Sequence, residues 1–211
     1  FKQDALPEEL AASMGKILMD MSTSVVTSAL NERLNELANK PGCPFISAQA
    51  DYSNFLLSKT KDCFMVYVVP KAGQDTAAVH TAMVEVERAA RHGFTPSELQ
   101  RAKDKYVNAV EQLYDNREKQ EHDFFAQRCI RHFLQSYGMP DLSTQFQMTK
   151  MLAQQIPADM YSMIMKDYAA HVDSNFICMA MYPEKEGVAV PTAADLRQAV
   201  ERAAAENIQA Y

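Results

Sequence analysis

Two strand-like stretches one short link apart, set in a chain that otherwise reads as helix, constrain this sequence most. Within Phe45 to Tyr52, Ile46, Ala48, Ala50 and Tyr52 alternate with Ser47, Gln49 and Asp51, the period-two pattern of a half-buried strand. Cys63 to Val69 is continuously apolar, as expected of a more central strand. The polar link Ser58-Lys59-Thr60-Lys61-Asp62 suits an antiparallel connection.

The flanking sequence supplies helices to cover such a pair. From Pro7 to about Lys40, Met14, Ile17, Leu18, Met21, Val25, Leu30, Leu34 and Leu37 recur at helical steps, predicting a long, well-buried helix. Pro41-Gly42-Cys43-Pro44 stops it, because Gly supplies a helix-ending conformation and Pro44 cannot continue the hydrogen bonding. A second helix runs from about Gln74 to Arg91 and ends at His92-Gly93. In Thr95-Pro96-Ser97-Glu98, Thr95 is placed to cap a third helix, Pro96 sits where its missing N–H costs nothing, and Glu98 can reach back. That helix extends to about Tyr114. Helical character resumes after Asp115-Asn116-Arg117-Glu118 through Phe124, Phe125, Cys129, Ile130, Phe133 and Leu134 to Gly138. Helices at Ser143 to Gln155 and Pro157 to His171, a third strand at Asn175 to Met181, and a terminal helix at Ala193 to Asn207 after Pro183-Glu184-Lys185-Glu186-Gly187 complete the chain.

Residues 1–211 are therefore expected to form a single α+β domain: a small, mainly antiparallel sheet packed on one face by several helices. Three strands are few for so many helices, and a further strand supplied from before Phe1 would complete the sheet better. Phe1-Lys2-Gln3-Asp4 is neither a signal peptide nor an initiator methionine, so the chain reads as an excised fragment.

Composition narrows the partners. With 21 Lys+Arg scattered among 27 Asp+Glu and a formal charge of -6, no basic stripe forms and nucleic acid is not an expected partner. No run approaches the roughly 20 apolar residues of a membrane span. Cys43, Cys63, Cys129 and Cys178 form no Cys-x-x-Cys pair and are read as buried thiols.

The search for chemistry returns weak pairs. Neither His-Glu-x-x-His nor His-x-x-Glu-His occurs, and none of His80, His92, His122, His132 and His171 is four residues from another. Glu118 with His122 and Cys129 with His132 have spacings that share a helix face, but the first reads as a hydrogen-bonded pair and Cys129 as a small buried hydrophobe. Gly-x-Ser-x-Gly is absent, and with Gly only 6 in the chain there is no phosphate-cradling loop. Glu85, Glu87 and Arg88, and Glu98, Arg101 and Lys103, read as solvated ion-pair faces. The 13 methionines, Met160, Met163 and Met165 among them, read as core filler. No catalytic, cofactor-binding or metal residue is assigned within 1–211.

Three ordered stretches carry a resemblance: Leu30-Asn31-Glu32-Arg33-Leu34-Asn35-Glu36-Leu37 running into Pro44-Phe45-Ile46-Ser47-Ala48; Glu87-Arg88 through Gly93-Phe94-Thr95-Pro96-Ser97-Glu98-Leu99-Gln100-Arg101-Ala102-Lys103; and Pro183-Glu184-Lys185-Glu186-Gly187. Together they resemble a non-zinc domain of the pitrilysin/insulinase family of zinc metallopeptidases, in the long bacterial single-chain form. The resemblance implies related α+β domains arranged in two halves that close around a peptide. The first domain would carry His-x-x-Glu-His and a distal Glu, and this chain looks like the second, chamber-forming domain, beginning after its first strand. Zinc is then expected in the parent protein and not in this fragment. The implied partners are neighbouring peptidase domains of the same chain and the peptide substrate, and an exported or periplasmic parent is favoured.

In the partner half of the family an Arg and a Tyr seven residues apart help hold substrate. The matching positions here are Ala38 and Phe45, whose side chains cannot donate a hydrogen bond, so no such role is carried over. The resemblance also admits a catalytically silent parent acting as a structural or binding subunit, and the Met-rich composition admits an independent helical binding module. If the peptidase reading holds, an exposed apolar strip should mark where the neighbour docks.

Overall fold

A serine hydroxyl decides where the first long helix begins. Ser13 Oγ accepts the Gly15 amide at 3.1 Å and donates to the Leu10 carbonyl at 2.7 Å, which satisfies helix-end groups before the helix is entered. The stretch expected as one helix from Pro7 therefore divides into a single 3₁₀ turn, Glu8–Leu10, and α1, Met14–Ala38. The computed structural model describes residues 1–58, 60–170, 175–182 and 190–211, with backbone alone at 55–58. His171, Lys59 and the Pro183–Gly187 motif lie outside the described residues.

β2, Phe45–Ser58, and β3, Lys61–Pro70, pair antiparallel, with Ala48 opposite Val68, Ala50 opposite Val66 and Tyr52 opposite Phe64. Those six residues face the helices. Ser47, Gln49, Asp51, Tyr67 and Val69 lie on the other face; Ile46, which the alternation grouped with Ala48, Ala50 and Tyr52, is exposed instead, because a register shift between Phe45 and Ser47 breaks the period there, and Tyr67 and Val69 are exposed as well. Helices thus cover one face of the sheet, as the sequence predicts, and β3 is the central strand. The third strand differs from expectation. It is β1, Lys2–Asp4, pairing with β3 through Lys2 opposite Cys63, in the order β1-β3-β2.

Asn175–Met181, expected as the third strand, is a continuous apolar run after Asn175 but is not a strand. A strand needs a ladder of backbone bonds, and this segment's tie to the sheet is Lys2 N donating to Asn175 O at 2.8 Å.

α1 is the central helix, lying on β2 and packing against α3, Pro96–Asp115, α6, Ala158–Tyr168, and α2, Asp75–His92. It buries Met21, Val25, Val26, Ala29, Leu30 and Leu34, which is why its apolar residues fall on more than one face. α3 begins with the capping box the sequence predicts: Thr95 Oγ1 takes the Glu98 amide at 3.3 Å, and the Glu98 carboxylate takes the Thr95 amide at 2.7 Å. α5, Leu142–Gln155, packs on α3, and α7, Ala193–Ala205, packs on α2. α4, His122–Gln135, follows a 3₁₀ turn at Arg117–Lys119 and buries none of its residues.

No helix among the described residues is long and apolar enough to cross a membrane. Methionine plays both roles: Met21, Met83 and Met165 fill the core as expected, whereas Met163, Met179 and Met181 are exposed.

Candidate functional site

The connection from α1 to β2 holds the two positions singled out by the resemblance. Ala38 ends α1 half-buried, and Phe45 opens β2 fully buried in the core. Phe45 packs the sheet onto its helices and presents no surface to a bound chain.

A cleft of about 390 Å³ opens between the start of α1, α4 and the segment 136–140. Ser136 adopts a left-handed conformation (φ 56°) that ends α4 and turns the chain back. Gly138 N then donates to Ala11 O at 3.3 Å, and a Cβ on Gly138 would lie 3.2 Å from the Ala12 carbonyl oxygen, so glycine permits the close approach.

Lys16, Asp20, Arg128, Arg131 and Tyr137 line this cleft. Lys16 pairs with Asp20 and stands 4.3 Å from the Tyr137 ring centre. Burial, with the Asp20 and Asp62 carboxylates adding, pushes the Tyr137 hydroxyl up to about 12, so it is a neutral hydrogen-bond donor at pH 7. Burial and then the neighbouring Arg131 lower the Arg128 guanidinium, which donates to Pro140 O. Three cations against one carboxylate suit a carboxylate or backbone carbonyls. The lining holds no nucleophile beside a base.

The outer side of α4 is apolar and open. Phe125, Ile130, Phe133 and Leu134 are all exposed, Phe133 at 85%. Cys129 is exposed as well, and so is Cys178, whereas Cys43 and Cys63 are buried. The expectation of four buried thiols fails at these two: no described element covers α4, which carries Cys129, and Cys178 lies in the irregular segment 175–182.

The weak pairs do not become sites. Glu118 lies 3.6 Å from Arg117 instead of meeting His122, and His132 Nδ1 lies 2.6 Å from the Tyr137 carbonyl oxygen. Among the described residues no three His, Cys, Asp or Glu side chains gather where a metal could sit. Zinc, which the resemblance implies for the parent, therefore has no fitting donor set on the described side chains.

Sequence reasoning missed a buried ion cluster. Arg33 is 1% exposed, Glu85 2% and Glu98 3%. Arg33 Nε and Nη2 donate to the two Glu98 oxygens at 2.6 and 2.9 Å, Nη2 also donates to Gly93 O at 3.0 Å, and Nη1 reaches Glu85 at 3.4 Å. The Phe94 and Tyr211 rings lie 4.9 and 4.3 Å from the guanidinium. Glu85 and Glu98 are thus not on solvated faces. Burial works to raise the Glu98 carboxyl, but hydrogen bonds from Arg33 and from the Thr95 amide and hydroxyl outweigh it and hold it at about 2. The cluster ties α1, α2 and α3 together and is closed on all sides, so it braces the fold.

No family model and no curated protein matches the sequence. Solved structures do. The first half of the periplasmic protease PqqL from Escherichia coli superimposes with a TM-score of 0.76 at 13% identity, covering 100% of this chain and 44% of that one. A predicted insulinase family protease from Yersinia pestis gives 0.76 at 9% identity, covering 97% and 42%. The ferredoxin protease FusC, solved with Arabidopsis ferredoxin, gives 0.63 at 12% identity, covering 100% and 23%. The chain spans less than half the length of each. Over its whole length, then, it has the fold of a domain of pitrilysin/insulinase-type proteases.

Proposed function

We propose that this chain is a non-catalytic, chamber-forming domain of a pitrilysin/insulinase-type zinc metalloendopeptidase, exported by its cell, in which another domain holds the zinc and cuts the peptide. The observation that supports this most is the full-length fold match to less than half of each protease compared. The uncovered apolar side of α4 agrees with it, because an exposed apolar strip of this kind marks a surface meant to be covered. The adjoining cationic cleft gives the domain a means of gripping a peptide carboxylate or main chain. Its contribution to catalysis is enclosure and positioning.

The test uses the parent protein. Phe133→Ser should leave this domain folded while lowering the parent's hydrolysis of a fluorogenic peptide several-fold, and the isolated chain should cleave nothing. Peptide cleavage by the isolated chain, with stoichiometric zinc retained against a chelator, would overturn the reading. A parent lacking His-x-x-Glu-His replaces it with the catalytically silent, binding-subunit alternative.

A further inference from the structure

The cationic cleft beside α4 is fastened in place by the fold itself. Its rim, residues 136–140, is held at four points: Ser136 Oγ donates to Glu8 Oε1 at 2.7 Å, His132 Nδ1 lies 2.6 Å from Tyr137 O, Gly138 N donates to Ala11 O at 3.3 Å, and Arg128 donates to Pro140 O. Four helices supply the floor, with Ile17 of α1, Leu113 of α3, Phe124 of α4 and Met148 of α5 each half-buried in it. At about 390 Å³ the cleft is pre-formed and of ligand size, roughly 300–1,000 Å³ being usual.

Its charges are not balanced. Lys16 is 8% exposed, whereas its partner Asp20 stands open to water. Arg128 gives its guanidinium to neutral acceptors, Pro140 O and, at 3.5 Å, Gln145 Oε1. The carboxylate whose field supports it, Asp141, is taken up in capping α5, where it accepts the Thr144 amide at 2.9 Å and the Thr144 hydroxyl at 2.6 Å. Among the described residues the Arg131 guanidinium makes no hydrogen bond or ion pair, and the Tyr137 hydroxyl has no hydrogen-bond partner. In a chain with a formal charge of -6, three cations converging on one carboxylate form a local excess that an anion relieves.

The lining selects among anions. A phosphate site draws on free backbone N–H groups, and the glycine of this lining, Gly138, already has its N–H on Ala11 O. A carboxylate with an apolar side chain on the neighbouring carbon matches the cations and the floor together. A lipid tail would leave Asp20 and Gln145, which also line the cleft, without partners, whereas a peptide brings main-chain N–H and C=O groups to them. The walls join where Gly138 meets Ala11 and Ala12, so a chain ends in the cleft instead of running through it.

We propose that this cleft binds the free C-terminal carboxylate of a peptide ending in an apolar residue, with Arg128, Arg131 and Lys16 as its countercharges, the Tyr137 hydroxyl as a further donor and the last side chain on the apolar floor. Peptide as the ligand class rests on the proposed function, which the site deepens: the domain holds a substrate or product by its terminus while another domain acts on the chain.

The test is fluorescence anisotropy on the 211-residue chain with an N-terminally labelled hexapeptide ending in leucine, as the free acid and as the C-terminal amide. The free acid should bind at least ~10-fold more tightly than the amide. Arg131→Gln should weaken the free acid by ~3–5-fold and leave the amide and the unfolding midpoint unchanged, because that side chain is exposed. Equal affinity of acid and amide overturns the proposal, and so does full affinity in Arg131→Gln. An amidated peptide with an internal glutamate that binds as tightly as the free acid overturns it in favour of a side-chain carboxylate. Displacement of the peptide by inorganic phosphate or laurate at lower concentrations than by acetyl-leucine overturns it in favour of those ligands. Binding is read without cleavage, so a parent that hydrolyses nothing removes the peptidase reading and leaves the measured site, while a lost preference for the acid removes the site and leaves the peptidase reading.

Discussion

Replacing Arg33 by methionine keeps the stem of the side chain and removes the charge that two buried carboxylates share. Glu98 would keep its bonds to the Thr95 amide and hydroxyl, and Glu85 its bond to Arg88 Nε at 2.9 Å. The Gly93 carbonyl would lose its partner, and Glu98 at 3% exposure would be left without a countercharge. Removing one member of a buried ion pair costs about 3–5 kcal/mol. For a chain of this size that corresponds to a fall of about 6–20 °C in the unfolding midpoint.

The pH dependence carries the sharper signature. A carboxyl held at about 2 in the fold contributes stability that is present above its unfolded pKa and is lost as pH falls through the folded value. Without Arg33, burial dominates and Glu98 titrates higher, so the variant is relieved by acid where the wild type is weakened. Urea unfolding followed by circular dichroism at pH 7 and pH 4 should show the gap between the two proteins narrowing in acid. A gap under about 1 kcal/mol at pH 7, or one of equal size at both pH values, would refute the assignment of Arg33 as the partner that holds Glu98 ionised. Changing Glu85 and Glu98 to Gln alongside Arg33→Met should recover much of the loss, since the stranded charges go with their partner.

Gly93→Ala should destabilise by about 1–3 kcal/mol, because φ is +69° there and the new Cβ would sit 2.2 Å from Ser162 Oγ; adding Ser162→Gly relieves the clash but not the backbone strain, so rescue should be partial in thermal melts. In a native thiol titration Cys129 and Cys178 should react at once and Cys43 and Cys63 only after unfolding, matching their exposure; four fast thiols would contradict the core described. Phe133→Ser should change the unfolding free energy of the chain by less than about 0.5 kcal/mol, as its 85% exposure requires, and a larger loss in a urea titration would mean that α4 packs on the domain.

Local chemistry made much of this fold legible in advance. The Thr95–Glu98 capping box, the glycine stop at Gly93 and the alternation in β2 each act within a few residues, so the sequence states them directly. The helix-covered antiparallel sheet followed from those local signals. The misses share a different cause. Arg33 lies 52 and 65 positions from Glu85 and Glu98, so no window of sequence can distinguish those acids from solvated ones. The start of α1 at Ser13 and the turn at Gly138 secure each other across the fold, and the apolar run of Asn175–Met181 becomes a strand only if a neighbour offers it a ladder.

The candidate surface was less legible than the fold, because amphipathicity says that a helix has an apolar side and not what meets it. The pattern of Phe125, Ile130, Phe133 and Leu134 predicts α4 equally well whether its apolar side is buried or bare. Sequence by itself determined where the long helices and the β2–β3 pair run, through hydrogen bonds and steric preferences that are satisfied locally. Only the tertiary structure decided which charges are buried, which thiols are open and which helix face is left for a partner, because burial is a property of what two distant segments exclude from water together.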